Sequence, residues 1–141
     1  LFVDAGIPRD GESRLGPPES AFAQRFRPFL QAGGSFPTWR DEDLRTLLPD
    51  AELRRKLLAE LQPRSLAFWD EPIDVFSGWP DALCAYLHFS AAYDDEAARA
   101  RAAGWPYRHL AAGHFHMLVE PAAVAVALLE LVRAAGSKPP G

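Results

Sequence analysis

The chain alternates between short, continuously apolar runs and longer stretches in which apolar residues recur every three or four positions. Leu1-Phe2-Val3 and residues 82–89 form the runs, with residues 105–110 as a further short β-like segment; the continuous apolar character of Leu1-Phe2-Val3 predicts a strand covered on both faces, as in a parallel sheet, and the other two read as strands beside it. The other stretches read as helices. Ser20 can cap a helix with Phe22, Phe26, Phe29 and Leu30 on one face, which Pro28 kinks and Gly33-Gly34 stops. Asp41-Glu42-Asp43 makes an acidic first turn ahead of Leu44, Leu47 and Leu48, and Pro49 breaks that helix. Asp50 caps the next, in which Leu53, Leu57, Leu58 and Leu61 share a face, and residues 63–71 give a third short turn carrying Leu66, Phe68 and Trp69. Asp94 as N-cap, with Asp95 and Glu96 in the first turn, opens a helix that Gly104 closes. Pro121 can open the last helix, over residues 121–135, with Val124, Leu128, Leu131 and Ala135 on one face; the tail 136–141 is expected to fray.

This order predicts an α/β fold with a short parallel sheet and flanking helices. Strand, helix, strand, helix over residues 82–135 calls for right-handed crossovers, so both strands deliver their following loops to the same edge. The helices of residues 20–71 interrupt that alternation. They are expected to form a cap or lid, leaving 1–19 and 72–141 as the core; their aromatics suit a cover over an apolar pocket, or simply a packed interior.

The candidate chemistry gathers at the expected edge. His114, in a Gly113-His114 step, follows the third run and precedes the last helix, so it stands on a loop between rigid elements, where an imidazole can serve as general base. The plainer role is a hydrogen bond to nearby backbone. Its carboxylate partner is expected to be Asp94, with Asp4, at the end of the first run, and Asp95 as alternatives. For Asp94 the competing role is helix capping. His114 and His116 have His-x-His spacing, but catalytic zinc usually needs three protein ligands and no further His/Cys cluster stands nearby, so no metal or cofactor is expected. His88 and His109 read as structural.

Composition narrows the class. With 141 residues, of which 48% are hydrophobic and 24% charged, the chain is the size of one domain with material for a core. A net charge of −4 gives no basic footprint, so nucleic acid and anionic membrane are not expected as partners. Cys84 is the single cysteine and cannot form an internal disulfide, which fits a reducing, cytoplasmic compartment. In an apolar run it is a poor nucleophile. No secretory leader or membrane span is visible.

Four pieces carry a resemblance. Phe2-Val3-Asp4-Ala5-Gly6-Ile7-Pro8, Phe36-Pro37-Thr38-Trp39 with the leucine-rich run after it, Gly78-Trp79-Pro80 through Cys84-Ala85-Tyr86-Leu87-His88-Phe89-Ser90, and Gly113-His114 with its following helix resemble, in this order, the C-terminal half of an α/β-hydrolase. The resemblance implies a strand following the nucleophile unit, a helical cap insertion, a penultimate strand, and a catalytic His114 before the final helix. Asp94 falls where the family's acid is expected after the penultimate strand, although its loop is short and lacks the usual glycine-rich entry. The implied activity is hydrolysis of a small ester, thioester or amide with a hydrophobic acyl group. One departure matters: no serine here has glycine at both −2 and +2, so the G-x-S-x-G elbow is missing, as is an oxyanion-hole loop. The chain also opens as if in mid-strand. The expectation is therefore a histidine-and-acid half, inactive by itself, that needs a missing N-terminal half or an oligomer partner. The alternatives are a non-catalytic module of the same fold that binds a hydrophobic ligand or partner, and a hydrolase-fold lyase or isomerase using His114 as base.

Overall fold

The computed structural model describes residues 1–137. Among them, three short strands, β1 (Phe2–Val3), β2 (Tyr86–His88) and β3 (Tyr107–His109), form one parallel sheet with β2 in the centre. The helices are α1 (Ala21–Gln31), α2 (Asp41–Leu44), α3 (Ala51–Glu60), α4 (Leu66–Trp69), α5 (Asp94–Ala102), α6 (His116–Val119) and α7 (Pro121–Gly136). The protein is thus mixed α/β, with the sheet flanked by helices. Residues 138–141, most of the tail expected to fray, lie outside the described residues, and Gly136 is still helical.

The second and third strands pair over fewer residues than the sequence segments suggest. Pro106 has no N–H to give a ladder, so β3 begins only after it, and Leu83, inside the expected strand 82–89, is exposed. Leu1 is exposed as well. What the apolar runs do report is coverage on both faces. Alternation along β2 sends Ala85, Leu87 and Phe89 to one side, where they pack on Val124, Ala127, Leu131 and Ala135 of α7. Tyr86 goes to the other side, against Ala97 and Ala100 of α5, with Phe2, Trp79 and Trp105 closing around it. Alanines on α5 let that helix approach the sheet closely. Pro121 stands at the start of α7, as expected, but α6 intervenes between the His114 loop and that helix.

The chain divides into two compact units. The first, residues 1–7, 45–51 and 78–141, holds the sheet, α5, α6 and α7. The second, residues 8–44 and 52–77, holds α1, α2, α4 and nearly all of α3. These boundaries differ from the 20–71 expected for the helical part, and the causes are local. Residues 8–19 join the helices because Gly11 and Ile73 pair through their backbones and Leu15 is buried with Ala23 and Leu30. Residues 45–51 join the sheet unit, with Leu47 lying on Gly113.

In the second unit Ser20 caps α1, accepting from the Ala23 N–H at 3.1 Å. The buried face of α1 is centred on Ala23 and Leu30, which leaves Phe22 and Phe29 more exposed than the sequence suggested. Phe29 instead lies across Gly34, where any Cβ would come within 2.5 Å of its ring. Phe26, Phe36, Leu66 and Trp69 complete that core, and the Trp69 indole N–H donates to the Phe36 carbonyl at 3.1 Å.

Candidate functional site

Asp4 is the residue on which the site is built. Its N–H donates to Leu87 O at 2.7 Å, closing the β1 ladder, and its φ of 43° then turns the chain away from the sheet. Aspartate is among the few residues that tolerate this left-handed region. Tyr86 holds the turn: its hydroxyl donates to Ala5 O at 2.7 Å and accepts from Ala5 N–H at 3.2 Å. The Asp4 carboxylate is fully buried and accepts from Phe89 N–H at 2.8 Å, Ser90 N–H at 2.9 Å, the Ser90 hydroxyl at 2.7 Å and His114 Nδ1 at 2.9 Å. Burial by itself would raise the pKa of this carboxyl. The His114 ring and the Ser90 and Phe89 donors outweigh that and hold it at about 2, so Asp4 is an anion at neutral pH.

His114 sits on the turn after β3, with its side chain about one third exposed. An ionised carboxylate only accepts hydrogen bonds, so Nδ1 carries the hydrogen and Nε2 presents its lone pair. Among the described residues no protein group bonds Nε2. Tyr93 stacks on the ring at 5.3 Å and 24°, and Phe115 meets it edge-on at 5.3 Å, so the imidazole plane is fixed from two sides. Gly113 matters for closeness: a Cβ there would lie 2.8 Å from the end of the Leu47 side chain.

Asp94, the favoured partner in the sequence, is not the acid beside His114. It opens α5 directly after a 3-10 turn over Ala91–Tyr93, and in that turn the side chain that meets the His114 ring is Tyr93. Its carboxylate lies 3.2 Å from His88 Nε2 instead and is mostly exposed. Nor does Asp94 cap α5, a position that Tyr93 occupies. Asp95 is exposed in the first turn of α5. Of the three carboxylates, Asp4 is the one brought to His114.

His116 stands on α6 with its ring edge-on to Phe89, and the described residues contain no group of three His, Cys, Asp or Glu able to hold a metal. Cys84 lies just before β2, at the sheet edge opposite His114, and burial pushes its thiol pKa up. Ser90 is the serine nearest the chemistry, yet its hydroxyl is spent on Asp4. Sequence reading missed Phe89, Ser90, Tyr93 and Tyr86. One signal was available: Phe89 and Ser90 leave β2 at the edge where Asp4 leaves β1, and two parallel neighbours place their first loop residues together.

All the parts meet at the C-terminal edge of a parallel sheet: Asp4 after β1, Ser90 after β2 and His114 after β3. No family model, curated protein or solved structure matches the chain.

Proposed function

We propose that this chain supplies the histidine and acid of an α/β-hydrolase-type serine hydrolase, acting on a small ester, thioester or amide with a hydrophobic acyl group. The observation that carries the reading is the 2.9 Å contact between His114 Nδ1 and a buried, ionised Asp4, on a side chain about one third exposed. In this reading Nε2 takes the proton of an attacking hydroxyl and later returns it to the leaving group. Asp4 holds the tautomer and stabilises the imidazolium formed between those steps. The nucleophile and the oxyanion donors come from a segment outside these 141 residues, and with them an acyl-enzyme forms and is hydrolysed. A cytoplasmic location belongs to the same proposal, supported by a single cysteine that has no internal partner. No helix among the described residues is long and apolar enough to cross a membrane.

The test is reconstitution. The chain alone should hydrolyse activated esters no faster than its His114→Ala variant. Joined to an α/β-hydrolase N-terminal half bearing G-x-S-x-G, it should turn them over, and His114→Ala should abolish that turnover. Ester hydrolysis by the reconstituted protein that survives His114→Ala would sink the proposal.

A further inference from the structure

His88 closes β2, is nearly buried, and has a hydrogen-bonding group at each ring nitrogen. Nε2 lies 2.8 Å from Ser90 O, which can only accept, so Nε2 bears the hydrogen. Nδ1 then accepts from the Tyr107 hydroxyl at 3.0 Å, which holds the ring from the neighbouring strand. Ser90 O also accepts from Tyr93 N–H at 3.0 Å, and Asp94 Oδ1 lies 3.2 Å from Nε2. Ser90 is in turn the residue that gives Asp4 both a backbone and a hydroxyl hydrogen bond. The β2–β3 register ends at His88 opposite His109, so Phe89 and Ser90 lie beyond it. His109 adds to the hold: it stacks on His88 at 4.6 Å, and its Nε2 lies 3.3 Å from Phe89 O. The peptide joining Phe89 to Ser90 therefore has its oxygen on His109 and its N–H on Asp4.

We propose that His88 is a positioning residue for the His114–Asp4 pair: through the Ser90 carbonyl it fixes the segment whose N–H and O–H groups hold the Asp4 carboxylate in line with His114. This rests on the reading of Asp4 and His114 as the working pair. An apolar residue would fill the same buried volume, whereas a side chain with a donor at the Nε2 position adds a second hydrogen bond to the Ser90 carbonyl, beside that of the Tyr93 N–H. Continuous hydrogen bonding makes the effect transmissible: loosening Ser90 removes donors from Asp4, and Asp4 then holds the His114 ring N–H less tightly.

The experiment uses the 141-residue chain and the NMR signal of the His114 Nδ1–H proton, which should be far downfield, slow to exchange with water, and lost in Asp4→Asn. In folded His88→Leu, exchange of that proton should quicken by about tenfold, the scale of one lost hydrogen bond. His88→Gln, whose side-chain amide can donate where Nε2 does, should restore most of the protection. A folded His88→Leu with unchanged exchange overturns the proposal, and so does a His88→Gln that behaves like leucine, since the role would then be packing alone. Should His88→Leu fail to fold, Tyr107→Phe decides, because it removes the hydroxyl that holds the His88 ring against the Ser90 carbonyl with almost no change of volume: faster exchange supports the proposal and unchanged exchange overturns it. A wild-type chain without an Asp4-dependent signal would instead overturn the pairing beneath the proposal, so the two failures are distinguishable.

Discussion

The sheet edge carries two carboxylate–imidazole pairs of opposite construction. In one, Asp4 is fully buried and His114 is about one third exposed; in the other, His88 is nearly buried and Asp94 is 66% exposed. The chemical groups are the same, and the difference lies in which partner meets water. Asp4 has four donors and no solvent, so its charge is fixed, and the His114 side chain it holds is partly exposed. At His88 both ring nitrogens are spent on Ser90 and Tyr107, and Asp94 is a solvated neighbour. Only the first arrangement has a ring nitrogen with no protein partner among the described residues and a buried counter-charge on the other nitrogen. Histidine beside aspartate is therefore not enough for proton transfer: the acid must be the buried member.

The strongest way to break this contrast is to alter charge without shape. Asp4→Asn in the reconstituted enzyme should lower kcat by about 10⁴-fold, because the amide favours the wrong imidazole tautomer and leaves the imidazolium uncompensated. Asp94→Asn, assayed beside it, should stay within about twofold of wild type. Equal losses in the two variants would show that Asp94 also works on the reaction.

Stability should separate the pairs next. Asp4→Ala strands the Phe89 and Ser90 N–H groups in the interior, and a cost of about 3 kcal/mol follows from the unmet donors. Urea unfolding of the 141-residue chain measures it, and a loss below about 1 kcal/mol would mean that water reaches those donors.

The same carboxylate sets an acid limit. Its folded pKa of about 2 lies below the ordinary 3.8, so Asp4 stabilises the fold fully above about pH 4, and that stabilisation is lost as pH falls through about 2. The shift corresponds to about 2 kcal/mol. Unfolding free energy measured from pH 6 to pH 2 should fall less steeply in Asp4→Asn than in wild type. Parallel curves would place the acid sensitivity elsewhere.

The sequence made the architecture readable where a single local rule governs. Short strand-like runs located all three strands, Ser20 and Pro121 marked helix starts, and Gly113-His114 marked the loop that carries His114. The acid was harder to read because two rules pulled apart. Asp94 stood first in an acidic helical turn at the expected place in the chain, yet after the 3-10 turn it is Tyr93 that meets the His114 ring, while the Asp94 carboxylate lies beside His88. Asp4 is remote in sequence from His114 and adjacent in space, through the β1-β2-β3 order that no local pattern encodes. The roles of Phe89 and Ser90 depend on the register of β1 against β2, which is likewise set by tertiary packing. The two compact units have other limits for a similar reason: Leu48 is fully buried, and residues 45–51 group with the sheet although they lie between helices.

The smallest effect is the sharpest check on the contrast, since it is expected at the residue the sequence favoured. Asp94→Ala removes a mostly exposed carboxylate whose partner His88 keeps its bonds to Ser90 and Tyr107. What is lost is a solvent-screened interaction and one negative charge in the first turn of α5, where Asp95 and Glu96 still face the helix dipole. The expected change is about 0.5 kcal/mol, read as a small drop in the urea midpoint with no change in slope. A loss above about 2 kcal/mol would show that His88 depends on Asp94 as His114 depends on Asp4. The two pairs would then share one construction, and exposure would no longer distinguish the pair proposed to move a proton from the pair proposed to hold it in place.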